Sequence, residues 1–498
     1  MKILSAKEIM EADAYTIRNE PVKSIDLMER ASIAFVELFA KHFPSQKEIK
    51  VFCGTGNNGG DGLAISRLLI NKGYHVHTYV VKVNDGTTPD FNINYNRLIE
   101  LTKVKDILRS TDIPEISNNE VVIDALFGTG LTRPVTGIFA ETIETINKSG
   151  AIIVSVDIAS GLQADQPSTG DHIIRPSLTI SFQVPKMAFF IPENEQYVGN
   201  WEIADIGLSK DFIHNTFSKN FFTTPDFVKS HLKKRKKFAH KGEFGKALII
   251  SGSYGKMGAA VLCAKACLRS GIGLLTMHIP RCGYEIIQTA VPEAMSSIDR
   301  EKNLISGYPD LKGFNTVGIG PGIGTHESTI NMLGKLLENS LSPMVLDADA
   351  LNILSRNNYL LDNLPPGSIL TPHLIEFERI AGACKNHFER IERQRQLSVH
   401  LHVIIILKGA YTSVSLPDGT IYFNSTGNPG MAKGGTGDVL TGVVTALLGQ
   451  NYSSNEAAIL AVYLHGLAGD IAVESKDQES LIASDIIECL PQAFKISK

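Results

Sequence analysis

The chain has 498 residues, 43% hydrophobic and 20% charged, with a net charge of −4. That length holds two or three domains, the composition supports sizeable cores, and the charge argues against a general nucleic-acid or anionic-membrane binder. Six cysteines without paired C-x-x-C spacing support neither zinc nor a disulfide framework, so a reducing cytoplasm is the expected compartment. The N-terminus lacks the apolar run of a signal peptide, and no stretch is expected to reach the length of a membrane span.

Ser5 opens S-A-K-E, a capping-box pattern with Glu8, and apolar periodicity predicts a helix to about Ile17. A second helix is predicted over 24–42 and a strand over 49–53. The strand enters G-T-G-N-N-G-G-D-G at 54–62, and a helix over 63–71 completes a βα unit with glycines at the turn. The spacing differs from the Rossmann dinucleotide fingerprint. Further strands are predicted at 74–81, 121–125 and 152–156. The second ends at Asp124, before G-T-G-L-T-R-P at 128–134; the third leads to Asp157 and I-A-S-G at 158–161. Right-handed parallel winding puts all such strand ends on one edge of a sheet, where open α/β sheets bind ligands. Asn58, Asp61, Asp124, the 128–134 loop, Asp157 and Ser160 should therefore converge. Oxygen donors from Asn, Asp and Ser suit a hard cation, and a carboxylate left over could move a proton. A last strand is predicted at 201–206, the pattern loses its period over 209–222, and the domain junction is placed near 222. The basic run at 232–237 reads as a solvated helix face beside that junction.

The second half, 223–498, alternates strand and helix throughout, which predicts a mainly parallel sheet with helices on both faces. A strand at 247–250 leads to S-G-S-Y-G-K-M-G at 251–258 and a helix over 259–270; this is not a Walker A loop. Strands at 274–278 and 316–319 follow, the latter entering G-P-G-I-G-T at 320–325. A strand at 344–346 ends in D-A-D-A, one at 368–370 leads to T-P-H at 371–373, and one at 403–407 ends in K-G-A-Y-T at 408–412. His373 falls on the binding edge, and Lys408 suits a nucleotide phosphate or ribose. After a hairpin through 417–419 comes T-G-N-P-G-M-A-K-G-G-T-G-D-V-L-T-G at 426–442, then helices over 454–473 and 483–495. The apolar run 439–448 predicts a buried helix, with Gly434, Gly435, Thr436 and Gly437 at its N-terminus, where free N–H groups favour an anion. Asp438 should stay ionised in that field and could take a proton from a hydroxyl attacking phosphorus.

The motifs H-K-G-x-x-G, G-x-M-G-A, G-P-G-I-G, L-D-A-D-A-L, T-P-H-x-x-E-F, L-K-G-A-Y-T and N-P-G-M-A-x-G-G-T-G-D-V-L-x-G, over 240–442, resemble the ribokinase-like NAD(P)H-hydrate dehydratases. L-M-E-R-A, G-N-N-G-G-D-G, G-T-G-L-x-R and S-V-D-I-x-S-G resemble the NAD(P)H-hydrate epimerase domain, a Rossmann-like α/β fold. Together they follow the order of the fused bacterial repair enzymes. The resemblance implies two doubly wound α/β domains, 1–222 and 223–498, of which the first interconverts R and S hydrates of NADH and NADPH. The second would dehydrate the S form with ADP and Mg2+, giving AMP and phosphate. In the epimerase domain it implies that Asn57, Asn58, Gly59, Gly60, Asp61, Gly128, Thr129, Gly130, Leu131, Thr132, Arg133 and Pro134 hold the substrate. Asp157 would act at the reacting ring, and Asn58, Asp124 and Ser160 would bind K+. In the dehydratase domain Ala259, Gly322, His373 and Asp438 would line the hydrate site, with Lys408, Gly409, Ala410, Tyr411, Thr412 and Gly437 on the nucleotide. A symmetric homo-oligomer is implied as well. Where the family carries Gly and Pro, this chain has Ser32 and Ala159. The second half alone also suits a small-molecule alcohol kinase, with the first half a non-catalytic nucleotide-binding module.

Overall fold

Apolar runs rich in valine and isoleucine, buried on both faces, build the sheet of the first unit, Lys2–Ser218. Its strands are β1 (Glu48–Cys53), β2 (His75–Val81), β3 (Val104–Ile107), β4 (Val121–Ala125), β5 (Ile152–Val156), β6 (Leu178–Phe182) and β7 (Asn200–Ala204). All pair in parallel, in the order β3-β2-β1-β4-β5-β6-β7. The winding reverses between β1 and β4, so the connections beyond their carboxyl ends part and leave a crevice. The structure, a computed structural model, describes residues 1–83 and 86–498.

Two strands of this sheet escape the sequence pattern. β3 carries Lys105 and Asp106 at the sheet edge and fully buries only Ile107. β6 alternates apolar residues with Thr179 and Ser181, yet all five positions are buried. The Thr179 hydroxyl donates to the Val198 carbonyl at 2.8 Å, which is how a buried polar strand is tolerated. The first helix begins as expected: Ser5 and Glu8 cap each other at the start of Ala6–Asn19. The helix after β1 starts earlier than its apolar run, spanning Asn57–Asn71. The glycines of that stretch are there for close packing. A Cβ on Gly59 would lie 1.9 Å from the Gly54 carbonyl oxygen, and one on Gly62 2.6 Å from the Ala125 methyl.

The second unit runs Lys219–Lys498 with Met1. Its strands are β8 (Asn220–Phe222), β9 (Lys246–Ile250), β10 (Leu274–Ile279), β11 (Met295–Ile298), β12 (Thr316–Ile319), β13 (Met344–Leu346), β14 (Ile369–Leu370), β15 (Ile404–Leu407), β16 (Ser413–Ser415) and β17 (Ile421–Phe423). They form one sheet in the order β11-β10-β9-β12-β13-β14-β15-β16-β17-β8. Only the β15-β16 and β16-β17 pairs are antiparallel. β8 pairs with β17, so the compact units divide between Ser218 and Lys219, slightly before the junction drawn at 222.

The helix Thr436–Gly449 is enclosed along almost its whole length, and Gly442 lets it lie against Met257–Arg269: a Cβ there would meet the Cys263 carbonyl at 2.4 Å. Against expectation, Ser454–Val473 has the length and apolarity of a membrane span, with a mean hydropathy of 1.4 over its best window. Most of it is spent inside the unit, since 72% of that window is buried among neighbouring core residues.

Candidate active sites

In the first unit, the strand ends bring two clusters of side chains together. Asp124, at the end of β4, is fully buried and accepts from Ser160 Oγ at 2.5 Å, Ser160 N–H at 2.9 Å and Ser155 Oγ at 2.8 Å. The Phe127 N–H donates to Ser160 Oγ at 2.8 Å, and Asn58 Nδ2 donates to the Phe127 carbonyl at 3.0 Å. Asn58, Asp124 and Ser160 are thus joined through one turn of backbone. Burial raises the Asp124 carboxyl despite its hydrogen bonds to Ser160, Ser155 and the Leu126 N–H, and none of those partners is a cation.

Asp157 belongs to the other cluster. It follows β5 with φ of 65°, a conformation in which side chains other than Gly, Asn and Asp are strained. Its Oδ1 accepts from Lys186 Nζ at 2.5 Å and from the Phe182 N–H at 2.8 Å. Lys186 is fully buried and donates as well to Ser181 Oγ at 2.8 Å and the Phe182 carbonyl at 3.0 Å. Asp13, from the first helix, faces this pair: burial, then the Asp157 charge, push it up to about 6 against the pull of Lys186. Burial, then Asp157, Asp13 and Asp90, push Asp61 well above the usual carboxylate range. Sequence reasoning missed Lys186 and Asp13. The only signal for Lys186 was a cation in the otherwise apolar stretch Q-V-P-K-M-A-F-F, and Asp13 looks like any surface acid on a helix.

The expected substrate loops flank these clusters. Asn57, Asn58, Gly59, Gly60 and Asp61 form the first turns of Asn57–Asn71 rather than a loop. Ser32 is fully buried and its hydroxyl reaches the Asp61 carbonyl at 3.5 Å. Gly128 packs beside Asn58, and Leu131, Arg133 and Pro134 line an open cleft of about 710 Å³ with Lys82, Phe127 and Phe139.

The second unit centres on Thr436–Gly449. Gly435 caps the helix with φ of 94°, and a Cβ there would lie 2.7 Å from Leu262 Cδ1, so glycine serves both backbone and packing. Asp438 sits in the first turn. The helix field does not hold its carboxyl low: burial, then the charge of Asp347, push it up to about 6, overriding Lys408. Asp347, at the end of β13, is 1% exposed and accepts from Lys408 Nζ at 3.0 Å and Thr441 Oγ1 at 2.7 Å. Lys408 leaves β15 there, and the Gly409–Thr412 turn is closed by Thr412 Oγ1, which accepts from the Gly409 N–H at 3.2 Å and leaves Gly409 and Ala410 exposed.

Ala259, in the first turn of Met257–Arg269, and Gly322, in the turn after β12, approach each other. Gly322 has φ of 69°, and a Cβ on it would lie 3.4 Å from that of Ala259. Asp349 braces the same spot, accepting from the Gly324 N–H at 2.8 Å and facing Lys256 at 3.2 Å. His373 lies at the end of β14, half exposed, and its Nδ1 accepts from the Ile375 N–H at 3.2 Å as the cap of Leu374–Ala381. His465, which the sequence did not single out, bonds the backbone of Thr436. Burial pushes it down to about 4, and its Nε2 has no partner among the described residues.

Comparison with known proteins finds two family matches along the chain. The family described as NAD(P)H-hydrate dehydratase matches residues 247–492, and that described as YjeF-related protein N-terminus matches 24–188. A bifunctional NAD(P)H-hydrate repair enzyme of Moorella thermoacetica is 34% identical over 514 residues, covering 99% of this chain and 97% of that protein. One from Thermofilum pendens is 34% identical over 510 residues, covering 99% and 96%. A solved ribokinase-like superfamily protein of Enterococcus faecalis is 25% identical, with a TM-score of 0.51, over 56% of this chain and 98% of its own. The second unit has the ribokinase-like fold, and over its full length the chain belongs to the bifunctional NAD(P)H-hydrate repair enzymes.

Proposed function

We propose that the chain returns hydrated NADH and NADPH to use in two steps, one carried by each unit. The second unit dehydrates the S hydrate with ADP, giving NAD(P)H, AMP and phosphate. The first interconverts the R and S hydrates, so that neither epimer is stranded. Asp438 carries the assignment. It is a carboxylate in the first turn of a buried helix, and a Cβ on the neighbouring Gly437 would lie 3.3 Å from Lys408 Nζ. Hydroxide leaves the hydrated ring poorly. Asp438 takes the proton of the ring hydroxyl as its oxygen bonds to the β-phosphorus of ADP and the bond to AMP breaks. The N–H groups of the first turn and Lys408 stabilise charge on the transferring phosphoryl group. Phosphate is then expelled by the ring nitrogen's electron pair, and loss of the neighbouring ring proton restores the dihydropyridine. Ala259, Gly322 and His373 bound the hydrate, while Lys408 to Thr412 and Gly437 hold the nucleotide. Mg2+ would enter on the phosphate oxygens of ADP, the hard donors it prefers.

In the first unit Asp157, held by Lys186, moves the proton that inversion at the hydrated carbon requires, and the Asn57–Asp61 and Gly128–Pro134 segments seat the nucleotide. The residue types around Asp124 fit K+: the Asn58 amide, the Phe127 carbonyl, the Ser160 hydroxyl and the Asp124 carboxylate are linked by hydrogen bonds, and the partners of the buried acid are all uncharged. Asn58, Asp124 and Ser160 would hold the ion, which supplies charge balance at the substrate loop. All six cysteines are free, which suits the cytoplasm, and the resemblance to the fused repair enzymes implies a symmetric homo-oligomer. A stand-alone alcohol kinase is not favoured, because the likeness to the repair enzymes runs through both units.

The test mixes both epimers with ADP and Mg2+ and follows the near-ultraviolet absorbance of the reduced nicotinamide, with KCl or NaCl present. Full recovery is expected, faster in KCl. Recovery limited to one epimer, after correction for spontaneous epimerisation, refutes the epimerase half, and no ADP-dependent recovery refutes the dehydratase half.

A further inference from the structure

Asp347 is an ionisable group in the interior, a placement that is costly unless its charge is matched. Both of its oxygens are engaged, one by Lys408 from the end of β15 and one by Thr441 from inside Thr436–Gly449. A Cβ on Gly437 would lie 3.8 Å from Asp347 Oδ2 as well as 3.3 Å from Lys408 Nζ, so the ion pair lies directly beneath the turn that presents Asp438. We propose that Asp347 is a positioning residue of the dehydration site, anchoring the Lys408 ammonium under that turn and offsetting its charge beside Asp438.

Two demands conflict at this site. A phosphoryl group in transfer needs a cation nearby, but an unmatched ammonium beside a carboxylate weakens that carboxylate as a base. Asp347 reconciles them by matching Lys408 from below. The groups facing Asp438 are Asp347 from β13, Lys408 from β15, Asp349 from Asp349–Arg356 and the Cys263 thiol from Met257–Arg269. Glu376, from Leu374–Ala381, and His465, from Ser454–Val473, face Lys408 in turn. Burial and then Asp347 bring Asp438 to about 6, close to neutral operating pH, where a general base is both ionised and basic enough to act.

This inference rests on Asp438 being the base of an ADP-dependent dehydration, so Asp438→Asn is run in the same assay; if it keeps full activity, that premise fails and the inference on Asp347 goes with it. Asp347→Asn in the full chain preserves shape and hydrogen bonding while removing the charge. The acid limb of kcat against pH should move down by about one pH unit, and the rate on the plateau should fall several-fold. Thr441→Val removes a hydrogen bond to Asp347 but not the charge, and should leave the limb in place. Lys408→Gln, read at saturating ADP, should move the limb upward and serves if Asp347→Asn does not fold. An unmoved limb in Asp347→Asn, an equal shift in Thr441→Val, or a shift in Lys408→Gln that is absent or downward overturns the proposal.

Discussion

Asp438→Asn should destroy dehydration and stabilise the protein at the same time. Loss of a general base costs about 10²- to 10⁴-fold in rate. The stability effect follows from the raised carboxyl. Its value is 3.8 in an unfolded chain and about 6 in the fold, so between those values the folded state binds the proton more tightly. Stability therefore falls as pH rises from about 4 to 6, and above pH 6 the ionised group costs the fold at most about 3 kcal/mol. Asparagine has nearly the same shape and no charge, so it removes that cost. At pH 7.5 the variant should melt several degrees higher, at roughly 2–4 °C per kcal/mol for a domain of this size. At pH 5 the gain should shrink to about half, because the wild-type acid is then mostly protonated. The assay pairs calorimetric unfolding of the unliganded chain at both pH values with the absorbance assay for dehydration. Wild-type dehydration should also fall about tenfold for each pH unit below 6. A variant that is inactive but less stable at pH 7.5, or equally shifted at both pH values, would refute the electrostatic reasoning, and one that is active would refute the catalytic reasoning.

Asp157→Asn should stop epimer interconversion and leave dehydration of the S hydrate intact, so that a mixture recovers in one fast phase followed by the spontaneous rate. Lys186→Met leaves the Asp157 carboxylate short of its buried partner and should destabilise the first unit by about 3–5 kcal/mol, read by chemical denaturation. Gly59→Ala would place a Cβ 1.9 Å from the Gly54 carbonyl oxygen. Overpacking of this kind costs about 1–3 kcal/mol, more than the roughly 1 kcal/mol that alanine gains over glycine in a helix, so epimerase activity should be lost on mild heating while dehydratase activity survives.

Glycine-rich strand ends in the first half, and the N-P-G to G-T-G-D stretch in the second, were enough to announce two α/β units, to bring Asn58, Asp124, Asp157 and Ser160 to one sheet edge, and to put Asp438 at the start of a buried helix. Those signals are local: a glycine run after an apolar strand and before a helix has few other uses. The helix starts were misjudged because Asn57–Gly62 and Thr436–Asp438 contain poor helix formers, and only packing against β1, β4 and Met257–Arg269 makes helix the better state there. β6 was missed because its hydroxyls hide the apolar alternation, although the buried Thr179 and Ser181 find partners once the strand is in place.

What the amino-acid order determined by itself was the alternation of elements and the identity of the loops between them, since periodicity and glycine placement act over a few residues. Which charges meet was decided only in three dimensions. Lys186 meets Asp157 across 29 residues of chain, and Lys408 meets Asp347 across 61. Neither pairing leaves a local trace, because the Coulomb interaction depends on distance and burial, and both of these are products of the folded sheet.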